Sequence, residues 1–117
     1  MLFLLIIVVA VMGVARSGVA RIGLGIYPEI ISFTASPETV HAGETVTLNW
    51  VTRGAESVIL DYGPENASRD RTQRIAALPT MGSLKMMPTE TTVYELTCET
   101  ATTGQMCMPT KVTVKVN

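Results

Sequence analysis

Few side chains in this 117-residue sequence are of types that do chemistry: two cysteines, one histidine, a cluster of arginines and one asparagine in a modification pattern. Cys98 and Cys107 bracket a segment whose turn signals, Ala101 to Gly104, predict a hairpin, so the two sulfurs are expected to lie close together. A bridge closing that span would stabilise the fold by about 2.5 to 3 kcal/mol in the chain-entropy account. Strand parity stands against it. Cys98 is in phase with Tyr94 and Leu96, whereas Cys107 is out of phase with Val112, Val114 and Val116, and a bulge at Pro109 would be needed to restore the phase. Two reduced thiols are the alternative. Zinc needs four converging ligands, which two cysteines and a distant His41 do not supply, so no metal and no cofactor is expected.

The other candidates have plain readings. His41 lies beside the turn His41-Ala42-Gly43-Glu44 and reads as a surface histidine rather than a catalytic base. Arg69, Arg71 and Arg74 interleave with Asp70 in SRDRTQR, a solvated loop on one reading and a lateral contact patch for an acidic neighbour on the other. Asn66-Ala67-Ser68 fits the N-glycosylation pattern in a predicted loop. Gly23-Leu24-Gly25 lacks the strand, helix and spacing of a phosphate-binding loop. No nucleophile has a recognisable base, so no catalytic residue is assigned and the chain is expected not to be an enzyme. A net charge of -1, from 9 basic and 10 acidic side chains, lacks the basic footprint that nucleic acid requires. No small-molecule substrate is expected either.

The elements that must position these residues fall into two parts, 1–26 and 27–117. Met1 to Ala15 reads MLFLLIIVVAVMGVA, with no charge and no strong polar group. As a helix those fifteen residues would reach about 22 Å, short of the ~30 Å hydrocarbon core, whereas extension to Ile26 gives about 39 Å. Arg16 and Arg21 would then snorkel or find partners. A secretory signal peptide is the default reading of such a start, but no Lys or Arg precedes the apolar run. Arginines on the C-terminal side also conflict with a simple anchor that exports the rest of the chain. A basic leader that preceded Met1 and was removed is one way to reconcile these signals. Gly13, Ser17, Arg21 and Gly25 recur every four residues, a stripe of small side chains that lets helix backbones approach. A glycine-rich membrane exit followed by a linker is the competing reading.

From Pro28 the pattern alternates. Ile31, Phe33 and Ala35, then Val46, Leu48 and Trp50, Val58 and Leu60, Leu84 and Met86, Tyr94, Leu96 and Cys98, and Val112, Val114 and Val116 each mark one face of a strand. Seven or so short strands in this space, bounded by turn residues, predict an antiparallel β-sandwich. The order ISFTASPETVHAGETVTLNW, GAESVILDYG, MPTETTVYELT, KVTVKV resembles bacterial immunoglobulin-like domains of surface and secreted proteins, over Ile30 to Val116 and most weakly between Pro64 and Met81. The resemblance implies that Trp50 and Leu48 fill the core between sheets, with Leu48 in place of the first cysteine of antibody-type domains. The expected fold is therefore an all-β immunoglobulin-like antiparallel sandwich preceded by one long N-terminal hydrophobic α-helix.

An apolar start of this character with a small sandwich behind it is similar to subunits of type IV pilin-related filaments, the archaeal-type branch above all, since no acidic residue precedes Glu29. That resemblance implies a homo-oligomeric helical polymer at the cell surface, inserted in the membrane before assembly. Its helix contacts would be Leu4, Ile7, Val11, Gly13, Val14, Ser17 and Gly18, with the sandwich outside. A single-pass membrane-anchored immunoglobulin-like module, serving as an accessory or adhesion subunit of a membrane complex, is the alternative.

Overall fold

The computed structural model describes residues 27–117. The segment 1–26, and with it the proposed helix contacts Leu4, Ile7, Val11, Gly13, Val14, Ser17 and Gly18, lies outside the described residues. Among the described residues, nine strands follow one another: β1 (Glu29–Ser36), β2 (Thr39–Val40), β3 (Val46–Arg53), β4 (Ser57–Pro64), β5 (Gln73–Leu78), β6 (Met81–Met86), β7 (Thr92–Thr100), β8 (Gln105–Met106) and β9 (Thr110–Val116). A single 3-10 turn, Arg69–Arg71, sits between β4 and β5.

The strands form two sheets, compatible with a β-sandwich. One runs β1-β3-β6; the other runs β2-β9-β7-β4-β5, with the short β8 added to β7. All pairings are antiparallel except β2 with β9, which is parallel. The central strands show why. In β3, Val46, Leu48, Trp50 and Thr52 are buried and alternate with more exposed residues; in β7, Thr92, Tyr94, Leu96, Cys98 and Thr100 do the same. Side chains of an extended strand point alternately to opposite faces, so each strand can give one face to a shared interior. Phe33, Ala35, Val40, Val58, Leu60 and Val114 complete that interior.

Trp50 wedges between the sheets and its indole N–H donates to the Pro79 carbonyl at 2.9 Å, which satisfies the one polar atom the ring carries inside. Gly82, directly opposite Trp50 on β6, leaves the room: a β-carbon there would stand 3.4 Å from the indole and 3.3 Å from the Pro79 ring. Gly54, at φ 76°, makes the turn from β3 into β4.

Two expectations change in detail. Ile31, expected on the inner face with Phe33 and Ala35, is exposed: a register shift between Ile30 and Ser32 rotates the start of β1, so Ile30 packs on the core in its place. The segment SRDRTQR, read as a solvated loop or a contact patch, runs at Gln73 into β5, which pairs with β4 through a second irregularity between Val58 and Leu60. Arg74 thus lies on a strand.

One expectation is overturned. The resemblance to type IV pilin-related filament subunits does not hold. The described residues are all-β and contain no α-helix. That resemblance rested on the apolar composition of the first residues, and composition alone does not distinguish a helix from any other apolar segment. Among the described residues, no helix is long and apolar enough to cross a membrane.

Replacing Leu48, fully buried, by Ala should lower unfolding stability by about 2–5 kcal/mol. Asn49→Ala, one residue away on the opposite face, should change it by less than about 0.5 kcal/mol. Urea unfolding of the two variants checks the assignment of faces.

Candidate functional site

The sandwich has two ends that differ in character. At one, β3 turns into β4, β7 ends beside Glu56, and β1 begins opposite Arg53. At the other, Pro64 lies opposite Thr92, Val46 opposite Met86, and the Gly43 N–H donates to the Pro88 carbonyl at 2.9 Å. A groove of about 280 Å³ opens at this second end, between the end of β4 and the segment joining β6 to β7.

Its floor is aromatic. Tyr62 on β4 stands directly opposite Tyr94 on β7, and their rings stack with centroids 5.7 Å apart and planes inclined by 26°. Met86, Met87, Pro64 and Pro88 form the walls. Polar groups gather at the mouth: Arg71 Nη2 lies 3.5 Å from Glu90 Oε2 across it, and the Tyr62 hydroxyl donates to Gln73 Oε1 at 3.4 Å. Burial pushes the Tyr94 phenol above its ordinary range, with the neighbouring Tyr62 adding to the effect. An apolar floor with a few polar groups at its rim suits the capture of an apolar or aromatic side chain. Gly63, in the same groove, faces the Arg71 carbonyl at a distance that leaves 3.0 Å for a β-carbon, so the 3-10 turn closes tightly on β4.

Two of the arginines singled out from the sequence, Arg71 and Arg74, are paired within the chain. Arg74 grips Asp61 on the neighbouring strand through two hydrogen bonds, Nε to Oδ1 at 2.7 Å and Nη2 to Oδ2 at 3.2 Å. Asp61 in turn keeps the guanidinium protonated beyond its ordinary range, through the hydrogen bonds first and their charges second. Register extends this pair into a row across four strands, Lys111 on β9, Glu95 on β7, Asp61 on β4 and Arg74 on β5. Two carboxylates directly opposite each other repel, and the flanking cations offset that. Arg71 bridges the groove, and Arg69 opens the 3-10 turn. Asp70 accepts from the Ser68 hydroxyl, which holds its carboxyl below the usual range.

Asn66 is exposed at a tight turn with φ 65°, closed by the Ala67 N–H donating to the Pro64 carbonyl at 3.0 Å. His41 is exposed, and its backbone N–H donates to Glu44 Oε1 at 2.8 Å. Among the described residues, no three His, Cys, Asp or Glu side chains converge as a metal site would require.

Cys98 and Cys107 face each other as a disulfide with Cα atoms 5.2 Å apart, and the Cys107 N–H donates to the Cys98 carbonyl at 2.9 Å. The parity objection is met by the chain itself. Met106 pairs with Glu99 and Thr110 with Leu96, so the register slips by one residue across Met108-Pro109. That extra residue brings both the cysteine and the later valines inward. The tyrosine groove is the feature that sequence reasoning missed. Tyr62 and Tyr94 both sit at inward positions of predicted strands, but only the register places one over the other.

No family model matches the chain. The chain is similar to an uncharacterized protein of Ruminiclostridium cellulolyticum, 39% identical over 89 residues that take in 76% of this chain and 21% of the relative. It therefore spans about a fifth of the length of the relative it matches. Neither comparison supports the resemblance to pilin-related subunits.

The disulfide and the buried phenol can each be tested by unfolding. The double variant Cys98→Ser, Cys107→Ser should lose about 2.5 to 3 kcal/mol, and the wild type should lose the same on reduction, as read by urea midpoints with and without reductant. Because folding raises the Tyr94 phenol above its unfolded value, the stability tied to it is complete below about pH 10 and is lost as pH rises through the raised folded value. Tyr94→Phe should flatten that alkaline decline in urea midpoints.

Proposed function

We propose that residues 27–117 are an immunoglobulin-like, non-catalytic module displayed outside the cytoplasm, held at the cell surface by the apolar segment 1–26 and binding a partner through the groove at its far end. The strand arrangement supports the fold: the first, third and sixth strands form one sheet and the fourth, seventh and ninth the other, the partition of an immunoglobulin sandwich. A scaffold of this kind says little about activity, so the functional argument rests on the site.

Polarity is the observation that carries the reading. The chain enters at Tyr27, beside the β1–β3 pair Glu29 and Arg53, while the tyrosine groove opens at the opposite end. A module tethered by the residues before Tyr27 would therefore present its groove away from the tether. The paired cysteines add a reason for an oxidising compartment, since structural disulfides persist there and not in the reducing cytosol. Charged side chains near the groove are engaged with one another rather than converging on a reacting atom.

Polymerisation through residues 1–26 is the competing assembly. It would use copies of the same apolar segment, but nothing in the geometry of residues 27–117 favours it.

Fractionation of cells expressing the chain tests the proposal. The expected result is retention in membranes through an alkaline carbonate wash, cleavage by protease added to intact cells, and cysteines that alkylate only after reduction. Release by carbonate together with freely alkylating thiols would contradict it, and sheared fibres in the extract would favour the polymer.

A further inference from the structure

Six large apolar side chains are exposed among the described residues, and they are not spread evenly over the surface. Tyr27 and Ile31 stand at the start of β1, Met81 pairs with Val51 near the end of β3, and Met106 and Met108 flank Cys107 beside the last turn of β7. All five surround the end at which the chain enters the sandwich. Met87 alone lies at the far end, in the groove.

Resting on the anchored reading of residues 1–26, we propose that this entry end seats on the lipid interface, with Tyr27, Ile31, Met81, Met106 and Met108 as a rim dipping into the headgroup region. Three observations single out a lipid surface. The fifteen uncharged apolar residues at the start of the sequence precede this end by eleven residues, so a bilayer that takes them up lies within reach of it. The rim mixes aliphatic, thioether and tyrosine side chains, the last of which favours the boundary between hydrocarbon and water. The charges close to it are partnered within the chain: Arg53 with Glu29, Glu56 with the Thr102 hydroxyl at 2.7 Å, and Glu99 with the Ser57 hydroxyl at 3.2 Å. The hairpin tip between Thr100 and Gln105 carries no charge at all. Glu56 and Glu99 lie at this end, so the surface of the sandwich itself suits a zwitterionic bilayer better than an anionic one.

The seat would fix the angle of the module. A sandwich held only by a linker would tumble; one whose rim is embedded stands upright, with the Tyr62–Tyr94 groove facing outward.

The methionines make the proposal measurable, because thioether oxidation follows exposure. Their fractional exposures are 84% for Met108, 67% for Met87, 62% for Met81 and 57% for Met106, so on a free sandwich Met108 should oxidise fastest and the other three at similar rates. The full chain is reconstituted in phosphatidylcholine vesicles, floated, treated with dilute peroxide and mapped by peptide mass. The expected result is oxidation of Met81, Met106 and Met108 slowed at least about fivefold relative to Met87. Flotation with all four oxidising in the order of their exposures would overturn the seat and leave the anchor standing. Failure to float would overturn the anchored reading, and the seat with it. Protection of Met87 along with the rim, or rim protection that fades as lipid is added at fixed protein, would identify a second copy as the cover and overturn the lipid seat. The double substitution Met106→Gln, Met108→Gln provides an independent arm: flotation should be kept while the protection of Met81 falls.

Discussion

Everything in the described part of the chain depends on burying one face of β3 and one face of β7 against each other. The two strands lie at the centres of their sheets, and each gives every second side chain to the interior. Trp50 is the largest piece of that interior, and it fits because Gly82 presents no side chain and the Pro79 carbonyl receives its N–H. Burying such side chains stabilises by about 1.5–3 kcal/mol each, enough to fix which face of every strand looks inward. The outer faces and the loops are then left to serve other purposes.

That interior makes the two ends of the sandwich rigidly opposed. The tyrosine pair shows the consequence most directly: Tyr94 is anchored in the core by its neighbours Leu96 and Thr92 on β7, and the half-buried Tyr62 lies over it at the edge of the groove. Arg71 and Glu90 close the groove from the two flanking segments without linking them covalently. At the other end, the disulfide ties β7 to the segment leading into β9, beside the exposed Met106 and Met108. A module with a sticky base and an aromatic pocket at its summit has a direction, which a symmetric spacer would lack.

The sequence made some of this readable and hid the rest for identifiable reasons. Alternation in TVTLNW, VYELTC and KVTVKV marks strands because a period of two survives whatever the neighbours are. Local irregularities break that rule: one extra residue near Ile31 turns an expected core side chain outward, and one at Met108-Pro109 reconciles Cys107 with the valines of β9. Periodicity cannot foresee such slips, although Pro109 hints at the second. β5 was hidden because QRIAAL is polar at its start and lies at a sheet edge, where only Ile75 and Leu78 reach the core. Arg71 and Arg74 were visible as charges, but their partners Glu90 and Asp61 are 19 and 13 residues away; strand register sets the second pair, and the 3-10 turn beside the groove sets the first. The resemblance to filament subunits failed because it drew on apolar character, which many kinds of segment share.

The central claim is that the sandwich has a base and a summit. The most direct measurement is nuclear magnetic resonance of the full chain in phosphatidylcholine nanodiscs containing a headgroup-attached spin label. Amide signals of Val51 to Gly54, Met81 and Gln105 to Met108 should broaden, while those of His41 to Glu44 and Met87 to Glu90 should stay sharp. Equal broadening at both ends, or broadening confined to the groove end, would contradict the account.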